Sequence, residues 1–114
     1  MALTEHLPVY RSVYQLILLV FKYTHDFPRE YKYTLGQDMK RDAIVLVRSI
    51  YRANRSYEKR VWLDEFLDSF EILKLEIRLC VDMRLISIRH QAELSLLMES
   101  IGKQITGWKK SQQK

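Results

Sequence analysis

Residues 27–37 read FPREYKYTLGQ and hold a loop and a helix start side by side. Thr34 and Gln37 have the spacing of a capping box, in which the threonine side chain accepts the backbone N–H of Gln37 and the glutamine reaches back to the N–H of Thr34. Two donors that a helix start leaves unpartnered are then satisfied together. This reading starts a helix directly after Thr34. Upstream, Pro28 has no N–H and restricts Phe27, so the preceding helix must stop before it.

Outward from this stretch the chain divides into four helical segments. Pro8 suits the first position of a helix that runs to about His25. Asn54 and Ser56 interrupt the second helix, and Ser87 is placed to cap the fourth. The predicted helices cover about 8–25, 35–55, 57–83 and 88–109 of a single domain spanning 1–114. No sustained alternation marks a strand, and the short connections make neighbouring helices antiparallel. The expected fold is all-α, an up-down-up-down four-helix bundle. The loop at 29–32 is longer than a reversal needs, which leaves a functional role open, but the favoured reading packs Phe27, Tyr31 and Tyr33 over one end of the core.

Composition agrees with a soluble globular chain: 47% of the 114 residues are hydrophobic and 29% charged, while 3 Gly and 2 Pro leave few places to turn. Cys80 is the only cysteine and falls in an apolar helical pattern, as a small buried hydrophobe does, which favours a reducing compartment. The longest apolar run, Leu16 to Phe21, is too short to span a bilayer, and the N-terminus lacks a leader pattern. The expectation is a cytoplasmic protein with no membrane partner. A net charge of +5 and a pI near 9.4 permit a polyanionic partner.

Helical periodicity gives two of the segments more than one apolar side. In the third, Leu63, Phe66, Leu67, Phe70, Leu73, Ile77 and Val81 form a core stripe, and Ile72, Leu75, Leu79 and Met83 a second stripe opposite. In the first, Val9, Val13, Leu16, Val20 and Tyr23 oppose Tyr10, Tyr14, Ile17, Leu18 and Phe21. One subunit buries one such face per helix. The surplus, with Tyr14, Leu18, Phe21, Ile72, Leu75 and Leu79 at its centre, is the expected interface of a homo-oligomer.

The second segment is two-sided in another way. Met39, Ala43, Leu46, Val47, Ile50 and Ala53 form its core face, and Arg41, Arg48, Arg52 and Arg55 share one narrow arc opposite. Like charges so placed repel, and guanidinium forks match phosphate oxygens. Arg60, Lys103, Lys109, Lys110 and Lys114 add to the positive total. Asp64, Asp68 and Glu71 form an acidic stripe that offers the arginines a protein partner instead, and both readings stand. Tyr51, Tyr57 and Trp62 lie near the basic end; packing is the commoner fate of such rings, stacking on bases the alternative. His6, His25 and His90 lack metal-ligand spacing, and no phosphate loop or nucleophile elbow occurs, so no cofactor, metal or catalytic residue is expected.

FPREYKYTLGQ, KRDAIVLVRSIYRANRS, RANRSYEKR, LISIRHQAEL and IGKQITGW together resemble a bacterial family of small four-helix proteins. It includes the accessory variability determinant of diversity-generating retroelements (Avd) and the proteins encoded in intervening sequences of bacterial 23S ribosomal RNA genes. The resemblance implies a pentameric barrel and, for the retroelement members, a non-catalytic partner of a reverse transcriptase that offers a basic surface to template RNA and to DNA copied from it. It places Arg41, Arg48, Arg52 and Arg55 as contacts for RNA or polymerase, and Arg60, near the start of the next helix, joins them as a candidate on its charge. For the ribosomal members it implies a structural oligomer without nucleic-acid affinity.

Overall fold

The computed structural model describes residues 3–112, which form a rod of 47 × 22 × 22 Å. After a single 3-10 turn at Thr4–His6 come α1 (Pro8–Thr24), a one-turn helix (Arg29–Lys32), α2 (Leu35–Arg55), α3 (Lys59–Asp82) and α4 (Ile88–Ser111). No strand occurs among the described residues. Each of the long helices lies beside two others, in the circular order α1, α2, α3, α4, so that α1 is diagonal to α3 and α2 to α4.

Side-chain pairs fix the directions. Tyr10 meets Tyr51 and Phe21 meets Lys40 across α1 and α2, while Met39 meets Cys80 and Arg52 meets Trp62 across α2 and α3. Asp64 pairs with Lys109 across α3 and α4, and Tyr23 with Glu93 and Ser12 with Gln104 across α1 and α4. Each pairing joins an early position on one helix to a late one on the next, which is up-down-up-down order. The core is the set of stripes the periodicity marks, with Val13, Leu16, Met39, Leu46, Ile50, Leu63, Phe66, Phe70 and Leu73 almost fully covered. Leu67, Val47 and Ile17 are half-buried at its margin.

The capping box does not form. Residues 29–32 are helical, which brings the Glu30 carbonyl within reach of the Thr34 hydroxyl, and Thr34 Oγ1 donates to it at 2.9 Å. The hydroxyl is thereby engaged backwards, and Thr34 makes no side-chain cap for α2. The expected cover over the core end is likewise only partial. Phe27 is buried and Tyr31 half-buried against the core, but Tyr33 is 64% exposed because the helical turn carries it to the outer side. The close approach in this corner is at Gly36, where a Cβ would meet Phe27 Cδ2 and the Tyr31 carbonyl at 3.3 Å each. Gly102 is in ordinary contact range of Phe70, and Gly107 faces open space, so neither is needed for helix approach.

The α2 bounds and the starts of α1 and α4 fall where expected, while the ends of α1 and α4 and both ends of α3 shift by one or two residues. Ser87 caps α4 as anticipated, its Oγ accepting the His90 N–H at 3.1 Å. The α3 stop uses no glycine: Arg84 takes the left-handed conformation at φ 62°, while the N–H groups of Arg84 and Leu85 donate to Val81 and Cys80. Lys59 seals the end of α2, its ammonium donating to the carbonyls of Ala53, Asn54 and Ser56 at 2.9, 3.1 and 2.9 Å.

Candidate nucleic-acid interface

The guanidinium row occupies the outward side of α2 and extends about 21 Å from Arg41 to Arg55 at the helical rise per residue. Its charge runs with the helix: Asp38 sits in the first turn and Arg52 and Arg55 in the last, each sign at the end whose dipole favours it. The row is not uniform. Arg41 Nη2 lies 3.2 Å from Asp38 and its Nε 3.7 Å from Asp42, in an exposed pair on its own helix. Arg52 lies over the Trp62 ring at 4.8 Å from the centroid, where a guanidinium gains from the negative ring face. Arg48, Arg55 and Arg60 are exposed and form no ion pair among the described residues.

The acidic stripe of α3 does not neutralise this row within the subunit. Asp64 pairs with Lys109 and Glu71 with Lys74 at 3.1 Å, both away from α2. Lys103, bound to Glu99, and Lys109, bound to Asp64, stand on the helix diagonal to α2. Lys114 lies outside the described residues.

The three aromatic residues near the basic end separate. Tyr51 packs edge-on against Tyr10 and donates to Glu5 at 3.2 Å, and Trp62 is half-buried beneath Arg52. Tyr57 is 98% exposed. Nothing in its spacing distinguishes it from the others; its place in the turn between α2 and α3 does.

Two apolar surfaces flank the arginine helix. On α1, Tyr14, Leu18 and Phe21 are about half exposed, and Ile44 of α2 extends the patch, one turn beyond the Lys40 that lies against Phe21. On α3, Ile72, Leu75 and Leu79 are similarly exposed, with Met83 just past its end. Since α1 and α3 are diagonal, the patches face away from each other.

One buried carboxyl group among the described residues escaped sequence reading. Glu76 faces α2 from between Leu73 and Cys80, and its Oε1 meets no hydrogen-bond partner. Burial first, then its hydrogen bond with Asp42 and the charges of Asp42 and Asp38, raises its carboxyl to about 8, against the opposing pull of Arg41. Its position on the core-flanking arc of α3 was the available signal. Burial also pushes the Cys80 thiol up to about 12, with Glu76 adding, which leaves it unreactive at neutral pH. His90 stacks on Tyr23 at 4.0 Å, and Glu93 accepts the Tyr23 hydroxyl at 2.9 Å, so this pair builds the α1–α4 seam. Among the described residues no cluster of His, Cys, Asp or Glu is arranged to hold a metal, and no helix is long and apolar enough to cross a membrane.

Fold and surface together define a four-helix bundle with an arginine row on one helix and uncovered apolar faces on the two beside it. Residues 8–112 match the family model described as bAvd-like, and the chain belongs to that family. No curated protein matches it.

Proposed function

We propose that this protein is a non-catalytic accessory subunit of a diversity-generating retroelement, a cytoplasmic homo-oligomer that binds the reverse transcriptase, its template RNA and the DNA copy through α2. Family membership supports the retroelement setting, and the uncovered patches support assembly. A two-fold dimer buries the same patch on both copies and leaves the other patch in water. Head-to-tail contact of the α1 face of one copy with the α3 face of the next covers both, and closure of that contact gives a ring, for which we adopt the pentameric barrel.

In such a ring α2, lying between α1 and α3, comes to the same surface in every copy. The arginine rows are then repeated around it, and modest phosphate contacts add. The observation that carries the reading is that Arg48 and Arg55, on the helix between the two patches, and Arg60, in the first turn of α3, stand exposed without an acidic partner among the described residues. The test is retention of structured RNA by the purified oligomer over a salt series. Binding should weaken steeply with salt, and Arg48→Glu with Arg55→Glu should lower affinity at least about tenfold at low salt without changing the sedimentation coefficient. RNA binding unaffected by this double reversal would remove the basis of the proposal.

A second reading, a structural oligomer of the ribosomal intervening-sequence type without nucleic-acid affinity, draws on the internal engagement of Arg41 and Arg52. It predicts no RNA retention even at low salt.

A further inference from the structure

We infer that the turn between α2 and α3 is a stacking step for an unpaired base, with Tyr57 as the platform and Arg55 and Arg60 as the flanking phosphate contacts, so that the nucleic acid taken there is single-stranded. The inference rests on the proposed nucleic-acid reading and narrows it. Tyr57 is more exposed than any other large apolar side chain among the described residues, and it stands at the basic end of the arginine row. Exposure of a whole ring to water is unfavourable unless a partner covers it.

The turn that carries the ring is held rigidly. Lys59 ties the carbonyls of Ala53, Asn54 and Ser56 to one ammonium, so the backbone on both sides of Tyr57 is fixed before any ligand arrives. An open cavity of about 540 Å³ lies beside the ring, with Leu7 and Trp108 as apolar wall and Arg55 at its margin, a size that accepts a nucleotide. Across residues 54–60, Arg55, Lys59 and Arg60 outnumber the one carboxylate, Glu58. A ring at a loop tip reaches the face of a base only when that face is not already stacked in a duplex, which selects unpaired nucleotides.

The experiment measures fluorescence anisotropy of the full chain with three probes: a short oligouridylate, an abasic oligomer of the same length, and a blunt RNA duplex. Tyr57→Ala should weaken oligouridylate binding about tenfold, the loss of one aromatic stack, while Tyr57→Trp retains it. Binding of the abasic oligomer and the duplex should change less than about twofold in the same variants. Sedimentation and helical circular dichroism should match the parent, because the ring packs on nothing. Undiminished oligouridylate binding by Tyr57→Ala, with the Arg48→Glu and Arg55→Glu pair still lowering it at least about tenfold, overturns the stacking step and leaves the broader proposal standing. Equal losses on the abasic oligomer, or a changed oligomeric state, also overturn it by giving Tyr57 another role. A parent protein that binds none of the three overturns both.

Discussion

Glu76 is the residue at which burial and charge conflict most directly. Its carboxyl is raised from 4.5 to about 8, so between those values the folded chain holds a proton that the unfolded chain has released. The contribution is fully present below pH 4.5 and is lost as pH rises to about 8, so stability falls across this window and is level beyond it. Glu76→Gln removes the titration and keeps the shape. Urea midpoints at fixed protein concentration should be nearly unchanged by the substitution at pH 5, and raised at pH 8 by an amount corresponding to about 1–3 kcal/mol. Equal shifts at both pH values would place the effect in packing instead.

At the level of elements, the ends of the helices are where local chemistry and tertiary contact divide the work. Arg84 holds a left-handed conformation that a side chain disfavours, and Arg84→Gly should raise stability by about 0.5–1 kcal/mol in denaturant unfolding. Gly36→Ala should act oppositely, lowering stability by about 1–3 kcal/mol, because one of the two neighbours at 3.3 Å is the Tyr31 backbone and cannot step aside. The stripes of α1, α2 and α3 were readable because burial follows a period that the sequence carries. The Ser87 cap was readable because its partner, the His90 N–H, lies three residues away. Thr34 was misread because its hydroxyl had a second local choice, and the helical turn at Arg29–Lys32 decided it. Tyr57, Tyr51 and Trp62 are alike in sequence; only the packing of Tyr10 and the placement of Arg52 separate them. The arginine arc was legible as a row, but not which members are engaged: Asp38 is an ordinary helical neighbour of Arg41, whereas Trp62 reaches Arg52 from the next helix.

For the molecule as a whole, the arrangement of surfaces matters more than any one contact. The diagonal placement of α1 and α3 gives each copy two unlike apolar faces, and the helix between them carries the positive row. The most direct measurement is sedimentation of the purified chain at micromolar concentration, alone and with Leu18→Asp or Leu75→Asp. The account predicts a stable particle of several copies that either substitution, one on each face, reduces to smaller species while helical content is kept. A stable single-chain particle for the unaltered protein would contradict it.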